Sequence, residues 1–340
     1  MGCTWRRAAC ALLLSAAAAF AGGGPAEAAA GPRIAAVAGV PADALPTDSD
    51  ASTKRVLLSS ASQGVFELAQ VRGAWQVRQS WRGGHELPAG VYGDASYGDG
   101  GLAVALLDQG VVRVRGGRAS QLDAAPGWPS RHPLTLLGRS RGGFWVAFAP
   151  LPFGSESGSG VLLWDEKVLR TVPLNDRALA TIGRWVEVVE RKSVFAATPG
   201  GVIEIGEDGS LQRHSSAPVA SLARDPRGQT IVAAGSAVTR WDGQRWVPVL
   251  FGLDLPGKRA PLGHGDPIDV AIDGGGCWYL LYAHGLLAVL DRAGATTAVL
   301  TTGDGIPSTA RRLLAAPNSD SVLVGSTTEG LRSVEGACAR

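Results

Sequence analysis

One phrase recurs seven times along the chain, and repetition at a fixed spacing leaves few folds open to it. A short apolar strand runs into a turn of small residues, and Gly plus an aliphatic residue then opens a second strand. The copies begin with Val56-Leu57-Leu58 and Gly64-Val65-Phe66, Leu102-Ala103-Val104 and Gly110-Val111-Val112, and Phe144-Trp145-Val146 and Gly160-Val161-Leu162. They continue with Val194-Phe195-Ala196 and Gly201-Val202-Ile203, Ile231-Val232-Ala233 and Ala237-Val238-Thr239, Trp278-Tyr279-Leu280 and Gly285-Leu286-Leu287, and Val322-Leu323-Val324 and Gly330-Leu331-Arg332. The fifth copy alone has Ala237 in place of Gly, with Gly235 two residues earlier.

Each phrase follows another short strand and a polar or Gly-rich turn, as in Ile268-Asp269-Val270-Ala271 before Asp273-Gly274-Gly275. The first six are trailed by a further strand, such as Trp75-Gln76-Val77. Four short strands per unit, separated by hairpin-type turn residues, recur about every 44 residues, the spacing of propeller blades. The seventh unit lacks a fourth strand, while the N-terminal side offers an unpaired one, Arg33-Ile34-Ala35-Ala36-Val37. Pairing the two closes a ring and removes the exposed sheet edges. The expected fold is all-β: a seven-bladed β-propeller of four-stranded antiparallel blades, with the N-terminal strand closing the last blade. An open array or two smaller propellers is the alternative.

Residues 1–30 read as a secretory signal, with Arg6 and Arg7 ahead of the apolar stretch from Ala8 to Ala21 and Ala-x-Ala sites beyond it. An uncleaved anchor helix is the other reading, but Gly22-Gly23-Gly24-Pro25 breaks a run already shorter than the roughly 20 residues of a span. A periplasmic or secreted propeller over residues 31–340 is therefore expected, probed by no later membrane-spanning run. In that compartment disulfides persist. Of four cysteines, Cys277 and Cys338 remain in the mature chain, at ends expected on one face of neighbouring blades, where a disulfide would pin the closure. The formal charge of +2 and the absence of a Lys/Arg-rich run argue against nucleic acid as a partner.

A second motif joins one unit to the next: Gly39-Val40-Pro41, Glu86-Leu87-Pro88, Gly127-Trp128-Pro129, Asp254-Leu255-Pro256 and Gly303-Asp304-Gly305-Ile306-Pro307-Ser308. The last runs through Leu313-Leu314 into Val322-Leu323-Val324-Gly325-Ser326-Thr327-Thr328-Glu329-Gly330-Leu331. This stretch resembles the two-component regulator propeller repeat, whose dGLPs turn leads to a strand and an LWvGT…GL phrase. The resemblance implies an extracytoplasmic sensor propeller that binds glycans or other ligands. No kinase or membrane helix follows the seventh unit, so only the binding half of that role is carried over.

In a ring of such blades, the inter-unit turns and the turns between second and third strands share one face. His85, His132, His264 and His284 fall in these turns, with Trp128, Arg131, Asp266 and Arg311 in the same class, and together they form the expected ligand-binding rim. Residues 149–160 lengthen the third blade's turn on that face. Metal is not expected, because blades far apart cannot bring three or four ligands to one point, and no cofactor is expected. Trp145, Trp241, Trp246 and Trp278 sit within strands and are expected to pack between blades.

Catalytic patterns are largely missing. His85-Glu86 lacks the second His of a zinc-protease helix, and Gly154-Ser155-Glu156-Ser157-Gly158 misplaces Ser for a nucleophile elbow. Asp48 and Asp50 alternate as calcium ligands do, without the downstream Gly and Glu. The expectation is a monomeric, non-catalytic propeller with a glycan, peptide or protein partner. The rivals are a polymer lyase or hydrolase using His264, Asp266, His284 and Arg311, with Asp266 and Asp269 as a carboxylate pair, and a purely structural scaffold.

Overall fold

A computed structural model describes residues 32–98, 101–107, 109–122, 128, 132–140, 142–148, 160–164, 169–174, 181–225, 230–250, 265–317 and 319–338. The segment expected to be a signal, Arg131, His264 and the long turn at 149–159 lie outside them. After β1 (Arg33–Ala36) come blade 1, with β2 (Ala44–Asp50), β3 (Arg55–Ser60), β4 (Gly64–Val71) and β5 (Ala74–Arg82), and blade 2, with β6 (Tyr92–Gly98), β7 (Gly101–Leu106), β8 (Gly110–Arg115) and β9 (Arg118–Gln121). Blade 3 holds β10 (Pro133–Gly138), β11 (Phe144–Phe148), β12 (Gly160–Trp164) and β13 (Leu169–Pro173), and blade 4 holds β14 (Trp185–Val188), β15 (Ser193–Thr198), β16 (Gly201–Gly206) and β17 (Leu211–Arg213). Blade 5 holds β18 (Val219–Arg224), β19 (Ile231–Gly235), β20 (Val238–Trp241) and β21 (Trp246–Leu250), and blade 6 holds β22 (Asp269–Ile272), β23 (Trp278–Tyr282), β24 (Leu286–Leu290) and β25 (Thr296–Leu300).

The last three strands, β26 (Ala310–Ala315), β27 (Ser321–Ser326) and β28 (Leu331–Glu335), form the inner part of blade 7. Its outer strand is β1, antiparallel to β28 with Ile34 opposite Val334 and Ala36 opposite Arg332. The chain is thus a seven-bladed propeller closed by its own N-terminal strand. The innermost strands touch in a circle, β2 to β6, β10, β14, β18, β22, β26 and back to β2. Among the described residues, no helix is long and apolar enough to cross a membrane.

The core is divided among the gaps between blades. Side chains alternate across a strand, so Phe66 packs toward Leu323 of blade 7 while its neighbour Val65 packs toward Leu102 and Val104 of blade 2. Trp145 fills the gap between blades 3 and 4 and Trp278 that between blades 5 and 6. Each such side chain contributes about 1.5–3 kcal/mol by leaving water, and each blade needs both neighbours to cover its two faces.

The recurring Gly has a steric cause. Gly64 and Gly201 open third strands at φ +116° and +115°, and a Cβ there would stand 2.2 Å from the Trp81 carbonyl oxygen and 1.9 Å from that of Ser215. Ala237 of blade 5 adopts no positive φ, so that blade tolerates a side chain. Gly201→Ala is expected to lower stability by more than about 1 kcal/mol, whereas Ala237→Gly costs at most about 1 kcal/mol. Urea unfolding of the two variants checks the contrast.

Candidate functional site

The inner strands carry β-bulges near the start, between Pro46 and Asp48 in β2, Tyr92 and Ala95 in β6, and Ala310 and Arg312 in β26. A bulge re-aims a side chain, and beside the first two an Asp turns toward the next blade. Asp48 Oδ2 accepts hydrogen bonds from Ser96 Oγ (2.6 Å) and the Tyr97 backbone N–H (2.9 Å) of blade 2. Asp94 Oδ2 accepts from Thr135 Oγ1 (2.5 Å) and the Leu136 N–H (2.9 Å) of blade 3. Burial pushes the Asp48 carboxyl up to about 6, against the pull of these donors. A folded-state value above the ordinary 3.8 means that this group's own contribution to stability is greatest below about pH 4 and is lost as the pH rises toward 6. Asp48→Asn is therefore expected to flatten that decline and to raise stability at pH 7, by at most about 3 kcal/mol for a displacement of about two pH units. Urea midpoints at acid and neutral pH test it.

Asp269, at the start of β22, gathers four blades. It is 2% exposed. Oδ1 accepts from Ser221 Oγ of blade 5, and Oδ2 accepts from the Leu313 N–H of blade 7 at 2.7 Å. Arg184, just ahead of β14 in blade 4, places Nη1 3.2 and 3.0 Å from the two carboxylate oxygens and donates to the Leu313 carbonyl at 2.6 Å. Blades 4 and 6 are not neighbours, so this ion pair spans the channel. Asp269 is a strut in the lumen, a correction to its reading as half of a rim acid–base pair.

The rim residues are spread over the ring. His85 is exposed in the turn after blade 1. The His132 imidazole lies with Nδ1 3.1 Å from the Leu107 carbonyl, between blades 2 and 3. Trp128 is half-buried and sits edge-on to Phe148 at 6.0 Å, packed on the core between blades 2 and 3 and so not a free platform. Asp266 and His284 are exposed at one end of blade 6, His284 at φ +60°. Burial, reinforced by the Asp266 charge, pushes the neighbouring Tyr282 phenol up to about 12. Arg311 is exposed on the bulge of β26 and not in a turn as expected. Asp266 and His284 are thus exposed on blade 6 and Arg311 on the adjacent blade 7, while His85 follows blade 1 and His132 lies between blades 2 and 3.

On the opposite face, turns between first and second strands and between third and fourth strands border clefts that lie between blades. They measure about 590 Å³ beside blades 1 and 2, 440 Å³ beside blades 3 and 4, 610 Å³ beside blades 4 and 5, and 840 Å³ beside blades 6 and 7. The last is bordered by Cys277 and Cys338, which form a disulfide with Cα atoms 6.2 Å apart. Sequence reasoning overlooked this face, because a cleft between blades is made by residues small in one blade and polar in the next. Among the described residues no three His, Cys, Asp or Glu side chains converge as metal ligands.

No protein-family model matches the chain, and no curated protein matches it. Among solved structures it is similar to virginiamycin B lyase from Staphylococcus aureus, with a TM-score of 0.64 at 10% identity over 89% of this chain and 98% of that one. A catalytically inactive variant of that lyase with quinupristin gives a TM-score of 0.63 at 10% identity and the same coverage. A gluconolactonase from Xanthomonas campestris gives 0.49 at 14% identity over 89% of each chain. The likeness to the lyase is one of fold.

Proposed function

We propose that this is an extracytoplasmic binding propeller that recognises a peptide, protein or glycan partner on its rim and carries out no chemistry. The observation that supports it most is where the inner-strand carboxylates are spent. Asp48, Asp94 and Asp269 accept donors from neighbouring blades, so none is placed to exchange a proton with a bound molecule. The exposed groups at blades 6 and 7 are instead a carboxylate, an imidazole and a guanidinium, which together offer donors and acceptors to a polar partner. The seventh unit's resemblance to the two-component regulator propeller supports a sensor-like role, and the leader-like residues 1–30 support a periplasmic or secreted location.

A thermal-shift screen of the purified chain against peptides and glycans tests this. A ligand present at a hundred times its Kd adds about 2.7 kcal/mol of apparent stability. Asp266→Ala, Arg311→Ala and His284→Asn, which keeps a residue tolerant of positive φ, are each expected to reduce that gain. Turnover of any of these ligands would overturn the non-catalytic reading. If none shifts the transition, the partner is a protein, to be captured by cross-linking in an extracytoplasmic extract.

A further inference from the structure

Blades 1 and 4 open their third strands alike, with Gly64-Val65-Phe66-Glu67 and Gly201-Val202-Ile203-Glu204. Val65 packs toward blade 2 and Val202 toward blade 5, so alternation aims both glutamates at the following blade. Both are buried, at 3% and 7% exposure. Glu204 is fully engaged: Oε1 accepts from Arg191 Nε (2.7 Å) and Ser193 Oγ (2.6 Å), and Oε2 from Arg191 Nη2 (3.0 Å) and His214 Nε2 (2.8 Å). By strand register, blade 1 has Thr53, Arg55 and Trp81 where blade 4 has Arg191, Ser193 and His214. Glu67 Oε2 takes both hydrogen bonds available there, from Arg55 Nη1 (3.3 Å) and Tyr97 Oη (3.1 Å). Glu67 Oε1, with the same guanidinium 3.2 Å away, receives no hydrogen bond.

The facing blades differ in the same sense. Blade 5 lays Trp241 and Trp246 against Phe195, with ring centroids 5.1 and 5.7 Å apart. At the matching positions blade 2 has Val114 and Ala119, joined through Gly116 and Gly117. Both gaps hold a cleft, of about 590 Å³ beside blades 1 and 2 and about 610 Å³ beside blades 4 and 5, but they differ in their walls: Glu67, Gln79, Trp81 and Tyr97 are among those of the first, Arg191 and Trp241 among those of the second. The volume of the first suits a small molecule, and Glu67 Oε1 is held there by its ion-pair contact with Arg55 alone, with no hydrogen bond of its own. Two carboxylates, Asp50 and Glu67, face two guanidiniums, Arg55 and Arg139, so the walls carry no excess charge for an ion.

We propose that this cleft binds a small neutral polyhydroxylated molecule, one of whose hydroxyls donates to Glu67 Oε1. A hydroxyl both donates and accepts, so neighbouring ones meet the Arg55 guanidinium and the Gln79 amide while the carbon skeleton lies along Trp81. Tyr97 does not supply the missing proton: burial and the adjacent Glu67 hold its phenol well above the usual range, and its one proton is given to Oε2. The cleft is on the face opposite the rim, so it stands independently of the reading above.

Calorimetric titration of the full chain with glucose, myo-inositol and maltose is expected to show saturable binding by at least one, with glucuronate and glucosamine weaker. Glu67→Gln is expected to weaken it about tenfold or more, the value of a hydrogen bond to a charged group. Gln79→Ala, at an exposed position, is expected to weaken it several-fold without lowering the melting temperature, which keeps the test valid if Glu67→Gln unfolds. Val114→Trp, which sets an indole in place of a small side chain of the cleft wall, is expected to abolish binding in a folded protein. Three results overturn the proposal: no saturation by any neutral probe up to about 10 mM, ten times a Kd of about 1 mM; charged sugars binding as tightly as glucose; or undiminished binding in folded Gln79→Ala and Val114→Trp.

Discussion

Asp269→Ala is expected to cost about 3–5 kcal/mol of folding stability, the range for removing one partner of a buried ion pair. The loss has identifiable sources. The Arg184 guanidinium, whose side chain is 15% exposed, is left in the channel without its carboxylate, and the Ser221 hydroxyl and Leu313 N–H lose their acceptor. Because those donors belong to blades 4, 5 and 7, one substitution loosens more than half the ring. The control is three residues away: Asp266 is exposed, and Asp266→Ala is expected to stay within about 0.5 kcal/mol of the parent. Urea unfolding at neutral pH measures both. A loss below about 1 kcal/mol for Asp269→Ala, or equal losses for the two, would remove the channel strut from the account. A double-mutant cycle with Arg184→Met separates the pair from the other contacts.

The second large effect is at the closure. Cys277 and Cys338 are separated by 61 positions in the sequence, and a bridge across a loop of that length adds about 4 kcal/mol in the chain-entropy account. The paired Cys277→Ala and Cys338→Ala variant is therefore expected to unfold at markedly lower urea. Its ring remains closed by β1 on β28, so its native fold is expected to persist, with faster amide exchange at Ile34 and Ala36. If the variant melts with the oxidised parent, the hydrogen-bonded strand closure alone sustains the ring.

How much was legible in the sequence follows from the range of each interaction. The recurring Gly-aliphatic phrase marks a turn whose geometry is local: φ near +115° and a carbonyl about 2 Å from any Cβ at Gly64 and Gly201. The unpaired strand at residues 33–36 and the missing fourth strand of the last unit are visible as a surplus and a deficit. Asp269 reads as an ordinary polar residue at a strand start, because its partners stand up to 85 residues away and its strut also grips a carbonyl 129 residues from Arg184. Arg311 reads as a turn residue, because a one-residue bulge in β26 leaves no mark of its own. Glu67 and Glu204 occupy similar local patterns, Gly-Val-Phe-Glu and Gly-Val-Ile-Glu, yet Glu204 is saturated and Glu67 is not, since His214 or Trp81 and Trp241 or Val114 decide the surroundings.

The sequence by itself therefore determined the blade, its repetition and the closure, since strand periodicity, turn chemistry and the steric need for Gly are properties of neighbouring residues. Only the tertiary structure decided which carboxylates hold blades together and which face a cleft, because the donors around a buried carboxylate come from other blades and are set by the closing of the ring.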